Sequence, residues 1–188
     1  MAMIEAWAAW AEKATEATVA LVAGRAETPA GALSALGMVT DRGSMSFVDA
    51  LELQGSFYED GTESQRAVVQ IDRLPGDRGE WWAIAEPNGF RMASASNLQA
   101  VAAGVGVAFF WNVNAVMRVL KVDGGAVVVE FDPLIDVDLI PQEGKDLPFE
   151  TLPRSASIAL LHRWTGVKIT QPWLEASKPT LIVYATIG

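Results

Sequence analysis

The sequence predicts a single α+β domain, a mostly antiparallel sheet of about five to seven strands with peripheral helices. Three observations carry that expectation. Val105 to Trp111, Ala115 to Val122 and Gly125 to Phe131 are successive runs rich in β-branched and aromatic residues. Asp123-Gly124 joins the last two as a two-residue hairpin signal. Seven Trp in 188 residues supply the large apolar areas that a substantial core needs. With 51% hydrophobic and 20% charged residues the chain reads as globular, long enough for one well-buried domain and short for two.

Taken in order, Ile4, Trp7, Ala8, Ala11 and Ala14 recur at helical spacing, so residues 1–16 read as an N-terminal helical extension. Thr18 to Ala23 turns β-branched and stops at Gly24, which favours a strand. Thr28-Pro29 is an N-cap with proline at the first helical position, and Gly37 ends that short helix. Residues 38–65 carry little periodic signal. Phe47, Leu51 and Leu53 suit a short helix, and Gly55 to Arg66 reads as an exposed loop.

Ala67 to Ile71 and Trp81 to Glu86 flank a Pro/Gly connector and are expected to form a hairpin. Glu86-Pro87-Asn88-Gly89 is a tight turn, with Phe90 to Met92 beginning a return strand. Ser94 to Ala103 fits a short helix ended by Gly104, ahead of the three-strand meander. Residues 132–154 are a long, Pro-rich acidic loop, a length that in a compact domain wraps the surface or serves a site. Ser155 to Trp164 reads as a helix, the Thr170 cap with Pro172 starts another, and Thr180 to Ala185 closes as a β segment.

The net charge of −9 comes from 23 acidic and 14 basic residues, the basic ones scattered. Without a basic stripe the chain lacks the counterion-release term of nucleic-acid binding, so no nucleic-acid partner is expected. The absence of Cys removes disulfides, thiol nucleophiles and thiolate metal sites, and fits a reducing compartment. The N-terminus has no basic region ahead of an apolar one, and no apolar run approaches a membrane span. A cytoplasmic protein with no membrane partner is expected.

Leu21-Val-Ala-Gly24, Ala35-Leu-Gly37, Ala85-Glu-Pro-Asn-Gly-Phe90, Trp111-Asn-Val-Asn-Ala115 and Phe131-Asp-Pro133 occur in an order that resembles an uncharacterised, mainly actinobacterial and phage-associated domain-of-unknown-function family. Arg163-Trp-Thr-Gly-Val167 is similar to that family's closing helix, and the resemblance spans roughly Val19 to Glu175. It implies one domain, a strand at Thr18 to Ala23, and a role linked to phage or prophage defence or immunity. It assigns no catalytic residue.

The chemistry-bearing residues are few. His162 is the sole histidine and sits on a helix beside Leu160, Leu161 and Trp164, a core-edge or surface position more than a general base. One histidine and no Cys exclude multi-histidine and thiolate zinc sites. No G-x-S-x-G elbow, P-loop or dinucleotide fingerprint occurs, since Gly104-Val-Gly106 opens a strand and lacks a third glycine. Asp136 and Asp138 alone are a weak cation signal and read as solvated loop acids.

One candidate ligand-binding group remains: Glu86, Asn88, Trp111, Asn112, Asn114, Arg118, Glu130 and Asp132. Antiparallel neighbours can gather these at one sheet end, where a Trp among amides and carboxylates makes a polar-rimmed pocket. The same Asn residues are also ordinary turn formers. Arg118 and Glu130 interrupt apolar strands and are expected to pair across them. Trp81 and Trp82 are adjacent on a strand and must face opposite sides, so either both faces are covered or one Trp marks an interface. The first expectation is a non-enzymatic protein-interaction module, with a protein partner or self-association as a homo-oligomer and with no cofactor or metal. The alternative is a small-molecule or nucleotide-binding protein, or a cryptic hydrolase, with its site at the EPNG and WNVNA motifs.

Overall fold

The computed structural model describes residues 6–14, 16–24 and 26–185. Eight strands form one sheet: β1 (Ala17–Ala23), β2 (Gly37–Met45), β3 (Arg66–Gly76), β4 (Gly79–Pro87), β5 (Val105–Trp111), β6 (Met117–Asp123), β7 (Ala126–Phe131) and β8 (Lys178–Ala185). Their order is β2-β8-β3-β4-β1-β5-β6-β7, and every neighbouring pair is antiparallel. The helices are α1 (Pro29–Leu33), α2 (Phe47–Glu59), α3 (Ala95–Val101), α4 (Pro153–Thr165) and α5 (Gln171–Glu175). A 3-10 helix over Ala6–Lys13 precedes β1. Among the described residues no helix is long and apolar enough to cross a membrane.

Both faces of the sheet are covered. On one face Val19, Leu21, Trp81, Phe109, Trp111 and Phe131 form a buried cluster with Ala8 and Ala11 of the first helix, Ile158 and Leu161 of α4, and Phe149. On the other, Ala20, Val22, Trp82, Ile84 and Leu120 pack with Leu33 of α1, with Met92 and with Leu98 of α3. The period-2 alternation of β1, β4 and β5 feeds both clusters, as strand geometry requires. Trp81 and Trp82 accordingly face opposite sides and are 1% and 4% exposed, so neither marks a bare sheet face. A smaller cluster seats Ala50 and Phe57 of α2 on Val68 and Ile182.

The cap signals operate as their chemistry dictates. Thr28 Oγ1 accepts from Gly31 N–H at 3.1 Å and Thr170 Oγ1 from Trp173 N–H at 3.3 Å, each with proline at the start of its helix. The β1 strand, the β3–β4 hairpin, the β5–β7 meander and the closing β8 lie where the sequence pattern predicts them.

Four expectations are corrected. The sheet has eight strands instead of five to seven, because β2 occupies part of the unreadable 38–65 stretch. Its burial alternates only over Gly37 to Thr40, and Asp41 to Ser44 are all exposed; pairing with β8, Val39 opposite Val183, holds it. Helix α2 runs through Gly55, Ser56 and Phe57, where a loop was expected. Tertiary contacts override the weak local propensity there: Phe57 is buried, and Gln54 Oε1 accepts from the Val68 N–H at 2.7 Å. Phe90 to Met92 makes no return strand but a 3-10 turn at 91–93, with Met92 N–H bonded to the Glu86 carboxylate. The β6–β7 turn is centred on Gly124-Gly125, not Asp123-Gly124, with Asp123 opposite Ala126. Both glycines have positive φ, 57° and 80°, which a type I′ turn demands at its two central positions. Ile4, the first position of the expected N-terminal helix, lies outside the described residues, and Ala6–Lys13 winds as 3-10.

Candidate functional site

Strand β1 lies between β4 and β5, so Ala17 is opposite both Pro87 and Trp111. This register brings the EPNG and WNVNA turns together at one end of the sheet. Glu16 joins them: its carbonyl accepts from Asn88 N–H at 3.3 Å, and its Oε2 accepts from Val113 N–H at 3.1 Å.

Within this corner the side chains separate by face. Thr18 is opposite Glu86 and Phe110, and Phe110 is opposite Arg118, which places the four in one cross-sheet row. Trp111 points to the other face, buried and stacked on Phe109 at 5.0 Å between ring centroids. Arg118 and Glu130 form the expected ion pair, half-exposed on both sides. Successive strands are roughly 4.8 Å apart, so Glu86 and Glu130, four strands apart, are separated by roughly 19 Å. That exceeds the ~5–9.5 Å between the two carboxyls of glycosidic hydrolysis.

The asparagines belong to the turns. Asn112 Oδ1 accepts from Asn114 N–H and Val116 N–H, both at 3.0 Å, and shapes the loop in which Ala115 has φ of 59°. Asn88 occupies the left-handed region at φ 47°, a conformation Asn tolerates, and its carbonyl accepts from Tyr58 Oη at 2.9 Å. Asp132 organises the next turn: Oδ1 accepts from Leu134 N–H at 2.8 Å and Oδ2 from Met117 N–H at 3.4 Å. Asp136 accepts from Asp132 N–H at 2.9 Å, so it serves the backbone as well. Among the described residues no group of three or more His, Asp or Glu is placed to hold a metal ion.

Glu86 is the most perturbed group of the corner. It is 1% exposed, with Oε2 accepting from Met92 N–H at 3.1 Å. Burial pushes its carboxyl up from 4.5 to about 7, opposed by the Met92 and Arg91 N–H groups and the Arg91 charge. Gly89 is pressed against it: a Cβ there would lie 2.4 Å from Glu86 Cγ and Oε1. Thr18 Oγ1 closes the turn by donating to Gly89 O at 2.5 Å.

A cleft of about 290 Å³ opens beside Glu86, lined also by Gln54, Tyr58, Glu63, Phe90 and Arg91. Arg91 reaches across it to the carbonyls of Glu63 and Ser64 at 3.3 and 3.1 Å. Burial and then the charges of Glu86, Glu16 and Glu63 raise the Tyr58 hydroxyl above its usual range. Tyr58, Glu63 and Arg91 escaped sequence reasoning because α2 and the 91–93 turn carry them in from other segments, with no local motif to signal it.

A second concave region lies in the 132–152 loop, a cleft of about 950 Å³. Val137, Ile140, Leu147, Phe149 and Leu152 give it an apolar lining, with Asp146 and Glu150 at its margin. Gly144 makes the close approach that closes it, since a Cβ would meet Ile140 at 2.9 Å and Phe149 at 3.3 Å. Arg163 of α4 ties the loop down through Asp146 and Glu143 O. Its guanidinium holds the Asp146 carboxyl at about 2, well below the usual carboxylate range. Earlier in the same loop Leu134, Ile135, Val137 and Leu139 are exposed, at 46%, 75%, 44% and 60%, and of these Val137 also lines the cleft.

No functionally described protein and no solved structure matches the chain. The family described as "Family of unknown function (DUF6461)" matches residues 5–146, a span that includes the EPNG, WNVNA and FDP turns and most of the acidic loop. The chain belongs to that family.

Proposed function

We propose that this protein is a non-enzymatic interaction module whose docking face is the 132–152 loop and its cleft. The carrying observation is the coincidence of exposed aliphatic side chains with uncompensated acids on one loop. Ile135 and Leu139 are 75% and 60% exposed, where a side chain of that type gains most from a partner. The loop carries Asp132, Asp136, Asp138, Glu143, Asp146 and Glu150 against Lys145 alone. Asp132 and Asp136 serve the backbone and Asp146 is paired, which leaves Asp138, Glu143 and Glu150 facing outward.

Charge complementarity selects the occupant, a basic polypeptide segment with an apolar face. A second copy of this chain would bring like charge to like charge. A fluorescein-labelled amphipathic Leu/Lys peptide, its scrambled isomer and polylysine are the probes, read by fluorescence anisotropy. Saturable binding of the amphipathic peptide is expected, weakened about tenfold by Ile135→Glu with Leu139→Glu and weakened again by salt. Equal binding of the scrambled isomer, or no effect of the substitutions, overturns the reading. A stable homodimer in light scattering that dissociates in the same variant also overturns it, replacing the basic partner by a second copy.

A second reading, small-molecule binding at the EPNG corner, is favoured by the cleft of about 290 Å³ beside the fully buried Glu86. A carboxyl that stays protonated to about 7 is a hydrogen-bond donor there, with Tyr58 and Arg91 as further polar groups. A thermal-shift screen over metabolites and nucleotides tests it, since ligand at a hundred times its Kd adds about 2.7 kcal/mol of stability. A shift that Glu86→Ala abolishes supports this reading; a flat response refutes it.

A further inference from the structure

A third concavity lies on the opposite end of the same sheet face, between the end of β1, α1 and α3. Its volume is about 220 Å³, and Gly24, Ala32, Ala35, Ala100, Val101 and Ala103 form most of its wall. Small residues alone would amount only to close packing. One group departs from that pattern. Trp82, 4% exposed, lines the pocket, and its indole N–H has no acceptor among the described residues. The Cδ1–Nε1 edge of the ring faces the pocket wall at Gly24, where a Cβ would lie 3.1 Å from Cδ1 and 3.6 Å from Nε1.

Buried donors are nearly always paired, so an orphan in a concave wall calls for an acceptor. Water suits this place poorly, because a buried water needs two to four polar partners and the other lining side chains are alkyl groups. Two backbone donors of the wall are already used: Gly31 N–H bonds Thr28 Oγ1 and Ala103 N–H bonds Ala23 O, both at 3.1 Å. The donor is also held in place. The Arg73 guanidinium lies over the Trp82 ring, 4.5 Å from the centroid, and is itself fixed by bonds to Ala26 O at 2.6 Å and Glu80 Oε2 at 2.7 Å. A preorganised donor in an apolar wall favours ligands without ordering cost.

We propose that this pocket binds a compact small molecule presenting one hydrogen-bond acceptor, a carbonyl or carboxylate oxygen, on an apolar body, with Trp82 Nε1–H as the donor. The volume, below the ~300–1,000 Å³ of drug-sized ligand sites, sets the compactness. Gly24 keeps the approach to the indole open.

The test uses the full chain labelled with nitrogen-15, in which the seven Trp give the indole signals. The Trp82 signal is assigned by its loss in Trp82→Phe. Titration with isobutyramide and, separately, isobutyrate should move the Trp82 indole proton downfield and saturably, leaving the other indole signals in place. The two probes distinguish a neutral carbonyl from a carboxylate as the preferred acceptor. Ala103→Leu, which fills the pocket while keeping the donor, should abolish the shift. Trp82→Phe, which leaves a smaller aromatic ring and removes the donor, should weaken binding at least tenfold by calorimetry. An unsaturable or absent shift with both probes, undiminished binding by Trp82→Phe, or a cross-peak from the indole proton to a resident water overturns the proposal.

Discussion

Replacing Glu86 by Gln removes a proton equilibrium from the interior and leaves the shape nearly unchanged. Gln retains a carbonyl oxygen to accept from Met92 N–H, the bond that Glu86 makes at 3.1 Å. In the unfolded chain the carboxyl releases its proton near 4.5, and in the folded chain burial defers release to about 7. Between those values the folded state binds more protons, so stability falls as pH rises; it is fully present below 4.5 and lost through 7. With ~1.4 kcal/mol for each tenfold change in proton affinity, the whole effect is about 3 kcal/mol. The group is 1% exposed, so solvent screening takes little from that figure. Urea unfolding followed by Trp fluorescence, for the parent and Glu86→Gln across this pH range, isolates the term because the other carboxylates titrate in both chains. The variant should match the parent at the acidic end and exceed it by about 3 kcal/mol at the alkaline end. Parallel stability curves would refute the reasoning, since they would mean that Glu86 titrates alike folded and unfolded.

Three further outcomes are expected. Gly89→Ala should cost about 1–3 kcal/mol by overpacking against the buried Glu86 carboxyl, and the loss should shrink in a Glu86→Ala background; an unchanged melting temperature would contradict the tight approach. Lys178 is 2% exposed and bonded to the carbonyls of Leu174 and Ala176 at 2.8 Å, and burial lowers its amine from 10.5 to about 8. Because the unfolded chain binds the extra proton between those values, the parent should gain stability relative to Lys178→Met as pH rises from 8 to 10.5, and a constant difference would refute it. The Arg118–Glu130 pair, with side chains 40% and 43% exposed, should give a coupling of no more than ~1 kcal/mol in a double-mutant cycle, fading with salt; a larger, salt-independent value would show the seam to be desolvated.

Local chemistry made much of the architecture legible. Thr28-Pro29 and Thr170 announce their helices through caps that need only the next three residues. The β5–β7 runs announce a meander because consecutive strands pair through short turns, and Arg118 with Glu130 follows from the same pairing. Even there the turn settled one residue later than expected, on the glycine pair, because backbone φ at Gly124 and Gly125 decides it. Strand β2 was illegible because an exposed edge strand held by a partner some 140 residues away needs no alternating pattern of its own. Helix α2 overran its propensity because Phe57 and Gln54 gain burial and a hydrogen bond only once β3 is beside them.

The candidate site divides in the same way. The capped helices and the strand runs with their short turns determined the class of fold, since each depends on contacts within a few residues. The order β2-β8-β3-β4-β1-β5-β6-β7, with both chain termini contributing strands inside it, was decided by tertiary structure alone. That order sets Glu86 beside Tyr58 and Arg91, sends Trp111 to the opposite face, and leaves the Trp82 indole over a pocket of small residues. Glu86 within EPNG reads in the sequence as part of a turn; it becomes a buried acid only because elements remote in the chain exclude water from it.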